Sequence, residues 1–95
     1  MSRKEILLDK PYNDVKVEGG FVRTFNEDVK EDSLIWHRDL KNRKIEVLEC
    51  RGWKFQRDNQ LPIELKENEI YEVNAMEYHR LIKGNGRLKL RIKEL

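Results

Sequence analysis

"EYHRLIKGNGRLKLRIKEL", residues 77–95, carries the clearest structural signal in the chain. In its second half, Leu88, Leu90 and Ile92 alternate with Arg87, Lys89, Arg91 and Lys93. A period of two places the apolar side chains on one face and the cations on the other, which describes a strand with one buried and one wet face. The "GNG" at 84–86 supplies Gly and Asn where a positive φ is easily adopted, so the spacing predicts a hairpin between "EYHRLIK" and "RLKLRI".

The same short, β-rich rhythm extends backwards. "EIYEV", "LPIEL", "WKFQ", "KIEVLE", "LIWH" and the weaker "FVRTF" read as strands, separated by the polar or turn-prone "NAM", "KEN", "RDNQ", "CRG" and "LKNR". No apolar stripe at helical spacing lasts beyond two turns. Strands recurring every eight to twelve residues with turns between them predict an antiparallel sandwich or barrel. The N-terminal segment, residues 1–19, is less patterned and reads as an arm or an edge strand ("VKVEGG"), leaving 20–95 as the barrel.

Ninety-five residues make one domain with a single modest core. Charged residues reach 40%, yet the 38% that are hydrophobic fall in regular clusters, unlike those of a disordered chain. Lys and Arg number 20 against 18 Asp and Glu, so a net charge of +2 gives little field for nucleic acid or acidic membrane. One cysteine, Cys50, excludes an intramolecular disulfide and a zinc finger, and it reads as an ordinary small residue at a strand end. No apolar run is long enough for a signal core or a membrane span, which makes the cytoplasm the default location. The dense charge of "DVKEDSL", 28–34, reads as a solvated loop.

From residue 68 onward the chain resembles the second motif of the cupins, small double-stranded β-helix proteins. That motif runs Gly, five residues, Pro, one residue, Gly, two residues, His, three residues, Asn. "NEIYEVNAMEYHRLIK" keeps the spacing, with Asn68, Asn74 and Met76 in the Gly and Pro places, His79 in the His place and Lys83 in the Asn place. Asn tolerates a positive φ where such a turn demands it. The first cupin motif begins His, one residue, His and reaches a Glu. "HRDLKNRKIEVLECRG" resembles it, with His37, then Asp39 for the second His, Arg43 or Lys44 for the Glu, and Gly52 near the closing Gly. The resemblance covers about residues 20–94 and implies an all-β, antiparallel double-stranded β-helix, a cupin-like jelly-roll barrel. It also implies a homodimer, which exposed edge strands would favour.

Residues two apart on a strand share a face, so His37 and Asp39 can point together into a barrel. The resemblance brings His79 to them. Two histidines and a carboxylate suit one divalent metal such as Fe, Mn, Ni or Zn. Against this, Arg43 stands where the acidic cupin ligand is expected, and two unit charges about 4 Å apart interact by roughly 4 kcal/mol at a surface-like dielectric. Arg43 must therefore point away or pair with Asp39. Three readings stay open. The leading one is a barrel binding a small polar or anionic ligand, with or without metal, in which Arg43, Gln56, Arg80 and Tyr78 contact the ligand. The second is an Fe(II) oxygenase-type enzyme using His37, Asp39 and His79, with Arg87 or Arg91 holding an oxoacid. The third is a non-catalytic structural or interaction protein in which the histidines are hydrogen-bonded structural residues, the arginines solvated, Gln56 on the surface and most aromatics in the core.

Overall fold

A computed structural model describes residues 10–95. The part of the N-terminal arm formed by 1–9 lies outside the described residues. Eight strands follow in order: β1 (Asn13–Val17), β2 (Gly20–Phe25), β3 (Arg43–Glu49), β4 (Lys54–Arg57), β5 (Ile63–Glu64), β6 (Ile70–Val73), β7 (His79–Ile82) and β8 (Leu88–Glu94). A single 3₁₀ turn, Glu31–Ser33, interrupts the charged 28–34 loop. Five strands form one sheet in the order β1-β2-β8-β3-β6, and three form the other, β5-β4-β7. Every pairing is antiparallel. β1 pairs with β2 over its full length and so forms one edge of the larger sheet.

The alternation in 87–95 does what its period demands. Leu88, Leu90 and Ile92 of β8 are buried, and across the neighbouring strands they meet Phe25 on β2 and Ile45 and Val47 on β3. Val47, Val73, Trp53, Phe55 and Leu65 complete a core fed by both sheets. Trp53, fully buried, keeps its indole N–H satisfied by donating to the Gly86 carbonyl at 3.1 Å. Of the other aromatics, Tyr71 packs against the core, while Trp36 and Tyr78 are exposed.

Two expectations need correction. The predicted hairpin does not form: β7 belongs to the smaller sheet and β8 to the larger, so the strands face each other across the core instead of lying side by side. β7 satisfies its backbone on β4 and on His37, and "GNG" turns a corner between sheets. That corner docks on the chain before β4: Asn85 N–H donates to the Arg51 carbonyl at 2.7 Å, and Gly84 lies so flush against Arg51, Gly52 and Trp53 that a Cβ would overlap their backbone. The second correction concerns "LIWH", which forms no strand and contributes only one bridge residue, His37.

The resemblance to the second cupin motif has a backbone counterpart. Asn68 and Met76, in the two Gly places, both adopt a positive φ, of 70° and 66°. The conformation outlasts the glycines because the turns themselves are kept.

Candidate functional site

His79 starts β7 and is buried, while His37 lies opposite it. The two exchange both backbone hydrogen bonds, His37 N–H to the His79 carbonyl at 3.0 Å and His79 N–H to the His37 carbonyl at 2.9 Å. A directly opposed antiparallel pair sends its side chains to the same face, and the imidazoles meet edge to face with centroids 4.3 Å apart. Asp39 reaches the same face two residues on, held there by the β6–β7 turn. Met76 N–H donates to the Asp39 carbonyl at 2.7 Å, and Ala75 N–H donates to Asn42 Oδ1 at 2.6 Å. Glu77 in turn ties the turn down, accepting from Arg57 Nη1 at 3.0 Å and from Asn74 N–H at 3.2 Å.

The hydrogen bonds fix which nitrogens face inward. His37 Nδ1 lies 3.1 Å from the Ile35 carbonyl and His79 Nδ1 lies 2.8 Å from the Glu77 carbonyl. A carbonyl only accepts, so each Nδ1 carries a proton and each ring is left with its Nε2 facing inward. Those two nitrogens face Asp39: His79 Nε2 is 3.4 Å from Oδ2 and His37 Nε2 is 3.9 Å from Oδ1. Asp39 Oδ2 is buried and has no hydrogen-bond partner. One potential metal-ligating atom from each of His37, Asp39 and His79 thus lies within 4.8 Å of the other two. Burial, and then the neighbouring His37 and Arg43, hold the His79 imidazole below its ordinary titration range, while the Glu77 carbonyl and Asp39 pull the other way.

Arg43 does not turn away: it pairs with Asp39, through one carboxylate oxygen. Its Nε and Nη2 donate to Glu94 Oε2 at 3.2 and 2.9 Å, which offsets its charge, and its Nη1 makes an ion-pair contact of 3.4 Å with Asp39 Oδ1. The carboxylate is divided, with Oδ1 toward Arg43 and Oδ2 toward His79.

The other sequence-predicted contacts lie elsewhere. Gln56 and Arg80 are cross-strand partners on β4 and β7, one residue out of phase with buried Phe55 and His79, so they occupy the outer face of the small sheet. There Arg80 Nε donates to Gln56 Oε1 at 2.8 Å and its guanidinium lies over Trp36. Tyr78 is exposed, near the Arg38 guanidinium. Arg87 and Arg91 are also exposed, paired with Glu49 and Glu46. Cys50 donates its thiol to the Leu65 carbonyl, and burial with nearby Glu67 and Glu64 pushes its pKa up, the reverse of an activated nucleophile.

The apolar pocket lined by Phe25, Phe55, Leu65, Leu90 and Ile92 holds only about 50 Å³ of free space. A larger groove of about 300 Å³ opens at the mouth, lined by His37, Asp39 and Arg43 together with Tyr12, Arg23, Leu34, Ile35 and Leu81. Arg23 escaped the sequence reading. Its signal was its place between Phe21 and Phe25, two core-facing positions of β2, which puts a cation on the inner face.

No family model matches the chain, and no curated protein matches it by sequence. Solved structures do resemble it. A protein from Neisseria meningitidis aligns over 100% of this chain and 97% of its own, with a TM-score of 0.61 and 16% identity. A cupin-2 domain containing protein from Shewanella frigidimarina covers 96% of this chain and 87% of its own (TM-score 0.62, 15% identity). An RmlC-like cupin family protein with a double-stranded β-helix fold, from Methanocaldococcus jannaschii, covers 87% and 78% (TM-score 0.61, 14% identity). Likeness along nearly the whole chain at such low identity is likeness of fold, and this chain has the antiparallel double-stranded β-helix fold of the cupins.

Proposed function

We propose that this protein holds one divalent transition metal through His37 Nε2, Asp39 Oδ2 and His79 Nε2, and admits a small anionic ligand beside it through the groove at the barrel mouth. The observation that carries the reading is the unpartnered, buried Asp39 Oδ2, 3.4 Å from His79 Nε2, on a carboxylate whose Oδ1 lies 3.9 Å from His37 Nε2, with the Nδ1 atom of each ring committed to a backbone carbonyl. A buried carboxylate oxygen without a donor is costly, and a cation at the shared focus removes that cost. The Nδ1 bonds to the Ile35 and Glu77 carbonyls orient the rings in the way that outer-shell partners orient metal-bound histidines. Arg43 then supports Asp39 from Oδ1 without competing for Oδ2. When bound, such an ion would supply Lewis acidity beside the groove, and the N₂O donor set suits Fe, Mn, Ni or Zn.

Metal analysis of protein purified without chelator tests this. We expect about one equivalent of metal in the wild type and a clear loss in both His37→Ala and His79→Ala. Metal-free wild type that gains neither bound ion nor melting temperature in added Fe(II), Mn(II), Ni(II) or Zn(II) would leave Asp39, Arg43 and the histidines as a metal-free polar network.

A further inference from the structure

Two arginines point inward at the barrel mouth. Arg23, on β2, is the cross-strand neighbour of buried Leu90, and Arg43, on β3, is that of Glu94. Their side chains are only 13% and 14% exposed, and both guanidinium groups flank the ring of Phe21, at 5.2 and 5.8 Å from its centroid. Setting a guanidinium in a row of core positions costs desolvation energy, so its partners are informative. Arg23 lies 3.6 Å over the Tyr12 ring and presents its fork to Asp14, with Nε donating to Oδ1 at 2.9 Å and Nη2 to Oδ2 at 3.0 Å. Bidentate geometry of this kind selects a planar carboxylate. Asp14 itself sits on the edge strand β1, exposed at the rim. Among the described residues Arg23 Nη1 has no hydrogen-bond partner, and Arg43 Nη1 has only its long contact to Asp39.

The groove that these cations line has apolar walls, formed by Leu34, Ile35, Leu81 and Phe25. Its 300 Å³ is at the small end of the range for ligand pockets. We propose that the groove binds a small organic carboxylate. Arg23, helped by Arg43, takes the carboxylate, and the apolar body lies against Leu34, Ile35 and Leu81. Asp14 is the internal competitor for the Arg23 fork. An apolar wall beside paired guanidinium groups favours an organic acid over inorganic phosphate, and the small volume excludes a polymer. This rests on the proposed role of the groove as the ligand entrance to the His37, Asp39 and His79 cluster.

Calorimetric titration of the metal-loaded full chain with benzoate and hexanoate, and with benzamide as neutral counterpart, tests the inference. At least one carboxylate should bind at millimolar concentration or below, with benzamide at least about tenfold weaker. Asp14→Asn, which frees the fork, should tighten carboxylate binding several-fold, while Arg23→Gln should weaken it by about tenfold or more. Arg91→Gln, on the outer face, should leave it unchanged. Absence of carboxylate binding by both wild type and Asp14→Asn overturns the proposal. So does unchanged affinity in Asp14→Asn, a variant that decides the matter even if Arg23→Gln fails to fold. Inorganic phosphate binding as tightly as benzoate would overturn the organic-acid class. The two readings fail separately. Stoichiometric metal without carboxylate binding defeats only this inference, whereas Arg23-dependent benzoate binding in a chain that never takes up metal defeats only the metal site.

Discussion

Met76 holds a φ of 66° although it carries a side chain, and its N–H fixes the Asp39 carbonyl at 2.7 Å. The left-handed region costs a non-glycine residue roughly 1–2 kcal/mol. Met76→Gly should therefore be neutral or stabilising by up to about 1 kcal/mol, once the greater chain entropy of glycine is set against the relief. Met76→Val should destabilise by about 1–2 kcal/mol and also weaken metal uptake, because the turn that positions Asp39 loosens. Urea denaturation and metal titration of the two variants check both halves. At His79 the sign of the pH dependence follows from its depressed titration. The folded metal-free state takes up its proton at lower pH than the unfolded chain, whose ordinary imidazole value is about 6.5. Between those two points the unfolded state binds more protons, so stability is full above about pH 6.5, declines as pH falls below it, and stops declining once the folded ring is protonated. Urea midpoints of metal-free wild type and His79→Gln between about pH 5 and 8 should show this slope only in the wild type. The histidines, Asp39 and their spacing were legible as a candidate cluster. What Arg43 does there was not, because its charge is offset by Glu94, fifty-one positions away in sequence.

At the scale of elements, the corner between β7 and β8 shows how one motif serves two geometries. "GNG" with alternating flanks suits a two-residue hairpin, but that pattern records only what the turn permits locally. Here the flanking strands find better partners: β7 hydrogen-bonds β4 and His37, and β8 is flanked by β2 and β3 at the centre of the larger sheet. Gly84 is required for close approach and not for its φ, since a Cβ would meet the Arg51 carbonyl and the Gly52 and Trp53 backbone. Backbone cannot yield as a flexible side chain can. Gly84→Ala should thus cost about 3 kcal/mol or more, measured as a drop in urea midpoint, and should expose Trp53, whose indole N–H is held by the same loop. The strand candidates from "KIEVLE" to "RLKLRI" all correspond to strands, because alternation and β-branched content act locally. "LIWH" does not, because one bridge to His79 satisfies the backbone of His37 while Ile35 and Trp36 remain exposed.

For the molecule as a whole, the cluster joins the passage between β2 and β3 to the smaller sheet. His37 and Asp39 lie on the long passage from β2 to β3, and His79 begins a strand of the opposite sheet from both. A ligand that binds only the folded state stabilises it by RT ln(1 + [L]/Kd), about 2.7 kcal/mol at a hundredfold excess over Kd. Added metal should accordingly raise the melting temperature of the wild type by several degrees and leave that of His79→Ala unmoved, as calorimetry in chelated and metal-supplemented buffer would show. Among the described residues no helix is long and apolar enough to cross a membrane. Residue pattern alone specified most of the strands and the buried face of β8, while the resemblance to the cupin motifs supplied the turn places at Asn68 and Met76 and brought His79 to His37 and Asp39. The strands and that face follow from side-chain period, which acts over a few residues. Long-range packing put β7 and β8 in different sheets, turned Gln56 and Arg80 outward, divided the two oxygens of Asp39 between Arg43 and His79, and set Arg23 at the mouth of the groove. Those outcomes depend on which distant strands compete for the same edge and the same charge, and a local pattern carries no record of that competition.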